Sequence, residues 1–382
     1  MSGAVDNRTH DVIIVGGGPS GSTLAWALER RGLRPLVMDK AEFPRDKTCA
    51  GWVTPAVMSE LEVDLEDFAK HCVLQPIHSF LIGMMGQPAV HNHHGDSPVS
   101  YGILRREFDN YLLQRTGADK ALGVKFESLE RDADGLWCVN GDYRALLVVG
   151  AGGHFCPIAA RLGDGPGRHE TAITAKEVEF EMDARQAEVC RVREDTPELW
   201  FCRDLKGYAW VFRKGDYLNI GLGREGNHRL KEHLQAFVDE MQAEGRLPPD
   251  LPGRFKGHAY LLYGRAERPL IDDGLMLIGD AAGLAYDQSG EGIRPGVESA
   301  LIAADVIAGA PDYGEDSLLT YARRINERFG SRAPEAKGPA VDLPAWAKLK
   351  AAPPLMRSHW FTRHVVTERW FLHQQVPPLQ AG

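Results

Sequence analysis

The run Asp11 to Gly21 reads Asp-Val-Ile-Ile-Val-Gly-Gly-Gly-Pro-Ser-Gly, and it constrains the fold more than any other stretch. Asp11 to Val15 is short, apolar and β-branched, the pattern of a strand buried on both faces in a parallel sheet. Gly16, Gly18 and Gly21 follow at G-x-G-x-x-G spacing. In such a turn the first glycine allows the bend, the second lets the backbone approach a pyrophosphate, and the third lets the next helix pack on its strand. The spacing predicts a helix over Pro19–Arg31, closed by Gly32, whose N-terminal N–H groups face the phosphates. A second strand, Pro35–Met38, ends on Asp39, where a dinucleotide fold places an acid on ribose hydroxyls.

The 382 residues suit two domains, or one large α/β domain with an insertion. A net charge of −9 without a basic block argues against a nucleic-acid partner. Met1–His10 is polar and lacks a signal segment, and no apolar run reaches membrane-spanning length, so the expectation is a cytoplasmic protein. The six cysteines show no C-x-x-C pairing and read as reduced thiols. His91, His93 and His94 stand in a polar stretch without a Cys or carboxylate at ligand spacing. They read as a solvated loop, and no metal site is expected.

Lys40–Thr48, with Arg45 and Lys47, reads as a loop. Cys49-Ala50-Gly51-Trp52 then leads into a helix over Val53–Leu61. Cys49 either lies against a flat ring, since Ala50 and Gly51 leave room, or is a structural thiol. Ile77–Met84 reads as a strand. A helix opens at Gly102, with Arg105 at its start either reaching a phosphate or ring edge or standing at the surface. Val124–Leu129 and Gly135–Val139 read as a small meander, and Ala145–Val149 as a second buried parallel strand. Strands over Thr171–Phe180, Glu198–Cys202, Tyr208–Phe212 and Tyr217–Gly223, with a helix over Arg229–Ala243, make a mostly antiparallel second domain. Tyr208, Trp210 and Phe212 share one strand face, as a core or as the wall of an apolar cavity. Leu275–Gly279 is a third apolar strand, ending Gly279-Asp280-Ala-Ala-Gly. Gln288–Pro295 opens a long helix to about Ala308. The segment Pro353–Gln375 mixes aromatic and arginine residues and reads as packing on the body or touching a membrane surface; without one clean helical stripe, packing is the expectation. The expected dinucleotide domain is therefore discontinuous, over 10–70, 101–170 and 264–310. The substrate domain takes 71–100 and 171–263, and 311–382 forms a helical C-terminal segment.

Gly16–Gly21 with Asp39, the Gly279-Asp280-Ala-Ala-Gly run and the Gly290-Glu-Gly-Ile helix start together resemble FAD enzymes of the para-hydroxybenzoate hydroxylase fold. This is the α/β class with a Rossmann-type FAD-binding domain (GR2/PHBH-like) and a mostly antiparallel α+β substrate domain. Within it the chain most resembles the geranylgeranyl reductase-like group, through Cys49-Ala-Gly, Arg105 ahead of Glu107-Phe-Asp, and Gly207-Tyr-Ala-Trp-Val-Phe. The resemblance implies that Gly16, Gly18, Pro19, Ser20 and Gly21 form the pyrophosphate turn and that Asp39, beside Lys40, holds the adenosine ribose. Cys49, Ala50, Gly51 and Arg105 would lie by the cofactor. Gly279 and Asp280 would meet the ribityl or phosphate region, and Gly290, Gly292 and Ile293 the flavin ring. Tyr208, Trp210 and Phe212 would line the substrate cavity. The chain departs from the family pattern at Asp39 (usually Glu), at Arg213 (Pro) and at Ala50 followed by Trp52 (Cys-Gly-Gly).

The implied activity is reduction of carbon–carbon double bonds in an apolar, isoprenoid substrate by hydride from reduced FAD, with Cys49 as candidate proton donor. An external donor, NAD(P)H or a ferredoxin-like protein, must supply the electrons, and no second dinucleotide fingerprint marks a dedicated NAD(P)H domain. The alternative in the same fold is a monooxygenase acting through a flavin C4a-hydroperoxide. A flavin halogenase and a non-catalytic flavoprotein stand further off. The Pro353–Gln375 segment leaves room for peripheral membrane contact.

Overall fold

A computed structural model describes residues 9–162, 172–226, 229–332 and 344–379. The polar start 1–8 lies outside the described residues, as does Thr171, where the first strand of the second domain was expected to begin.

The dinucleotide sheet forms around the strand Thr9–Val15, four of whose last residues are buried without interruption. It pairs in parallel with Pro35–Asp39 on one side and Tyr143–Gly150 on the other. Leu275–Leu277 extends the sheet beyond Tyr143–Gly150, and Asp119–Leu122 extends it beyond Pro35–Asp39, both in parallel. The expected meander is shorter than its sequence suggested. Leu129–Arg131 pairs antiparallel with Trp137–Val139, which in turn pairs antiparallel with Tyr143–Gly150, while 124–128 forms no strand. Helices Pro19–Glu29 and Ile293–Gly309 cover the sheet against one another. Gly32 takes φ +80°, as a chain reversal after a helix requires.

The second sheet has seven strands, in the order Lys256–Tyr260, Ile173–Glu181, Tyr217–Glu225, Gly207–Lys214, Glu198–Phe201, Ser79–Met84 and Val90–His93. All neighbours are antiparallel except Ser79–Met84, which runs parallel to Glu198–Phe201. One face packs under the helix Leu230–Ala243, through Ala209, Val211, Leu218, Ile220 and Leu222. The other face carries Trp210 and Phe212 and meets the C-terminal segment.

Three expectations change. Trp52–Val53 is a strand, and the helix runs Pro55–Glu60, because a residue before proline is kept out of helical geometry. Gly102 does not open a helix. Ser100–Ile103 is the buried centre of a three-stranded sheet between Trp52–Val53 and Leu74–Ile77, and the helix begins at Arg105. His91 and His93 lie on the edge strand Val90–His93 rather than in a solvated loop. His94 is buried beside Glu368 at 3.5 Å, and its imidazole is pushed down to about 4 by burial and by Arg363.

The C-terminal segment packs on the body by its inner face, where Met356, Val366, Phe371 and Leu372 join the cluster of Trp52, Trp210 and Phe212. Residues Phe361–Phe371 wind as a π-helix. The tail is pinned by Arg294, fully buried beside Glu298 at 2.8 Å, which donates to the Val376 carbonyl at 2.8 Å.

Candidate active site

The carboxyl ends of the parallel strands open into one cavity of about 670 Å³ that reaches the aromatic face of the second sheet. At the glycine end each fingerprint residue has a distinct steric reason. Gly16 takes φ +121°, and a side chain there would stand 2.5 Å from the Ala151 backbone. At Gly21 it would stand 1.8 Å from the Gly16 carbonyl. At Gly18 it would meet nothing nearer than an Arg45 nitrogen at 3.4 Å, so the backbone there faces open space. Asp39 closes the turn: Oδ2 accepts from Gly17 N at 2.8 Å and Oδ1 from Ala41 N at 2.9 Å.

Most of the expected site residues line this one cavity: Gly16, Gly18, Pro19, Ser20, Asp39, Lys40, Cys49, Ala50, Arg105, Asp280, Gly290, Gly292 and Ile293, with Tyr208 and Trp210. Gly21, Gly51, Gly279 and Phe212 do not line it. The Ser20 hydroxyl sits between Gly279 and Gly296, where a side chain on either would come within 2.4 Å of it, so Ser20 helps dock the two helices. Phe212 is core, 2% exposed and 6.0 Å from the Trp52 ring. Arg105 is no surface residue. It is 7% exposed and makes a two-pronged pair with Asp109 at 2.7 and 2.9 Å. Burial works against its charge, but Asp109 and the adjoining Cys49 side chain outweigh it and hold the guanidinium more firmly protonated.

Behind the aromatic wall lies a buried polar network that spacing alone did not reveal. Cys49 N donates to Glu177 Oε1 at 2.7 Å, and the Cys49 carbonyl accepts from Asn219 Nδ2 at 3.0 Å. The Trp210 indole N–H donates to Asn219 Oδ1 at 2.7 Å. Burial raises the Glu177 carboxyl to about 7. Lys214, 1% exposed, donates to the Ile103 carbonyl at 2.9 Å and to Glu179 at 2.5 Å. Side chains at Gly51 and Gly102 would stand 2.3 and 2.9 Å from it, so these glycines make its channel. The sequence does carry a signal for this set. Ala175, Glu177 and Glu179 alternate on one strand face, and Tyr208, Trp210, Phe212 and Lys214 do so on another. Acids and a lysine in step with buried residues must find each other.

Lys47 and His258 form a second missed group. Lys47 Nζ is 3.0 Å from His258 Nδ1, and His258 Nε2 is 3.8 Å from Asp280 Oδ2. Burial and the charge of Arg105 lower Lys47 to about 8. Burial would raise Asp280, but the His258 hydrogen bond and the charges of Lys47 and Arg105 outweigh it and hold the carboxyl below its usual range.

Residues 9–332 match the model of a family described as "FAD binding domain". The digeranylgeranylglycerophospholipid reductase of Methanocaldococcus jannaschii is 28% identical over 345 residues, covering 84% of this chain and 83% of that protein. The menaquinone reductase of Mycobacterium tuberculosis is 30% identical over 352 residues, covering 84% and 80%. The crystal structure of a geranylgeranyl bacteriochlorophyll reductase-like protein from Thermoplasma acidophilum superposes with a TM-score of 0.71 at 23% identity, over 85% of this chain and 84% of that one. The chain belongs to the FAD-binding domain family and is a geranylgeranyl reductase-like, FAD-dependent oxidoreductase. The cavity fits that cofactor. Asp280 Oδ1 is buried with no hydrogen-bond partner among the described residues, the Gly18 backbone is open, and the helix start at Gly292–Ile293 faces the same space. Side chains at Gly290 and Gly292 would stand 2.4 and 2.5 Å from Tyr260 Oη and Asp280 Oδ1 and close it.

Proposed function

We propose that this oxidoreductase reduces carbon–carbon double bonds of an isoprenoid lipid. The observation that carries the reading is the continuity of the cavity, which joins the dinucleotide fingerprint to a wall built from Tyr208, Trp210, Tyr260 and Trp52. A flat, rigid aromatic wall suits a prenyl chain, which offers apolar surface and no hydrogen bonds. Relatives named for reduction of a geranylgeranyl phospholipid and of menaquinone support the same class.

FAD, when bound and reduced, supplies hydride; the protein supplies position, dryness and a proton. Gly16–Gly21 and Asp39 would hold the adenosine diphosphate half. Asp280 and the Gly290–Ile293 helix start would hold the remainder, the helix end meeting negative charge with its N–H groups. Tyr208 is fixed by donating to the Ser289 carbonyl, beside that helix start. Burial raises the Tyr208 and Tyr260 hydroxyls well above their ordinary value, so both stay neutral and act as wall. Cys49 lines the same space with its backbone clamped by Glu177 and Asn219, and its thiol is assigned as the proton donor to the second carbon. Arg105, held by Asp109, sets the electrostatic field at that thiol.

The test is product analysis. Protein reduced with dithionite and incubated anaerobically with a geranylgeranyl lipid should return lipid heavier by two hydrogens per bond reduced. Product that forms only once air is admitted, and that carries oxygen, would show oxygenation instead. Cys49→Ala should slow reduction at least about a hundredfold if the thiol is the proton donor; an unchanged rate removes it from that role.

A further inference from the structure

The C-terminal segment has two unlike sides. Its inner side is sealed into the aromatic cluster, with the Phe371 ring 5.2 Å from Tyr208 and 6.2 Å from Trp52. Away from that cluster it leaves large apolar groups in water. Trp346 is 69% exposed, Trp360 64%, and Leu349 and Leu355 42% each. The helix Ala345–Met356 carries three of these four side chains, and Trp360 follows one turn beyond its end. Isolated exposed leucines need no explanation, but two tryptophans with two leucines on one short segment do.

Charge says what covers them. Residues 344–360 contain Lys348, Lys350 and Arg357 and no Asp or Glu, in a chain whose net charge is −9. Lys348, Lys350 and Arg357 are exposed beside the apolar groups. Tryptophan beside basic residues is the composition of a surface that settles at the headgroup level of an anionic bilayer. No described helix is long and apolar enough to cross a membrane, so the contact is in the plane of the interface.

We propose that Trp346, Leu349 and Trp360, with Lys350 and Arg357, dock this enzyme on an anionic lipid bilayer. The choice of a bilayer rests on the isoprenoid-lipid reading above. A prenyl lipid partitions into membranes, and the docked segment is the one whose inner face supports Tyr208 and Trp52 of the cavity wall. Docking at this place holds the wall against the phase in which the substrate is dissolved.

Vesicle sedimentation tests the surface without turnover. The FAD-loaded protein should sediment with vesicles of equal parts phosphatidylcholine and phosphatidylglycerol, much less with phosphatidylcholine alone, and progressively less as salt is raised. Trp346→Ala with Trp360→Ala, and separately Lys350→Glu with Arg357→Glu, should each weaken binding about tenfold or more. All four positions are exposed, so FAD content and thermal midpoint should stay as in the parent protein. Equal sedimentation of parent and variants would overturn the proposal. So would a concentration-dependent dimer, seen by light scattering without vesicles and abolished by the tryptophan pair, which would assign the patch to a second copy of the chain. Turnover of detergent-dispersed lipid reports on the proposed function separately. Intact turnover with no vesicle binding sinks the docking surface alone, and vesicle binding with no turnover sinks the isoprenoid reading alone.

Discussion

The two ends of the cavity are built by opposite means. The dinucleotide end is made by removing side chains from consecutive positions. Gly16, Gly18 and Gly21 lie within six residues: a side chain at Gly21 would strike the Gly16 carbonyl, one at Gly16 the Ala151 backbone, and Gly18 faces open space. The aromatic end is made by adding side chains that only pairing brings together. Trp210 lies across Gly221, its cross-strand partner, where a side chain would stand 2.2 Å from the indole. The indole N–H reaches Asn219, Asn219 reaches the Cys49 carbonyl, and Cys49 N reaches Glu177, so one chain of bonds ties four separate segments. The first end binds what every member of the fold binds. The second, in the function proposed above, would shape what this chain acts on, and it rests on buried charge.

Substitutions that separate the two ends sharpen the contrast. The largest effect belongs to Gly21→Val. Its side chain would overlap the Gly16 carbonyl, so purified protein should carry essentially no flavin by absorbance. Normal flavin content would break the account of the fingerprint. Next comes Lys214→Met, which removes the ammonium beside Glu179 and leaves that carboxylate only the Asn219 amide among the described residues; it should cost about 3–5 kcal/mol in urea unfolding, and Lys214→Met with Glu179→Gln should recover most of that. Gly221→Leu would displace the Trp210 indole. It should keep flavin content while slowing lipid reduction about ten- to a hundredfold; loss of flavin instead would mean that the two ends are one unit.

The smallest effect concerns pH. Glu177 is raised by burial from 4.5 to about 7, so between these values the folded chain keeps a proton that the unfolded chain releases. This group's contribution therefore falls as pH rises through that window, and it is fully present below it. Glu177→Gln, which cannot ionise, should flatten the fall in thermal midpoint between pH 5 and 7 by roughly 1–3 kcal/mol-equivalent. An unchanged slope would place the titration elsewhere.

The same contrast governs what the sequence shows in advance. Asp39, Asp280 and the Gly290–Ile293 start are readable because each follows an apolar strand or opens a helix, and local spacing places it at the carboxyl edge of the sheet. Tyr208 and Trp210 are readable as a face but not as core or wall, and Phe212, two residues on, proves to be core. Lys47 and His258 stand 211 residues apart, and Glu177 stands 128 from Cys49. No local pattern relates such partners: Lys47 and Cys49 lie on the loop ahead of Trp52–Val53 and meet strands of the second sheet only in the folded chain. The Trp52–Val53 strand was hidden by a helix-like stretch whose Pro55 marks the true start.

The measurement that bears most directly on the central claim is an anaerobic single turnover in wild-type protein. The flavin is reduced with a stoichiometric amount of dithionite, a geranylgeranyl lipid is added, and the oxidised flavin absorbance is followed. The account predicts that the band returns without oxygen, one flavin per double bond reduced, and that Gly221→Leu slows the return while binding the same flavin. A band that stays bleached until air enters would contradict it.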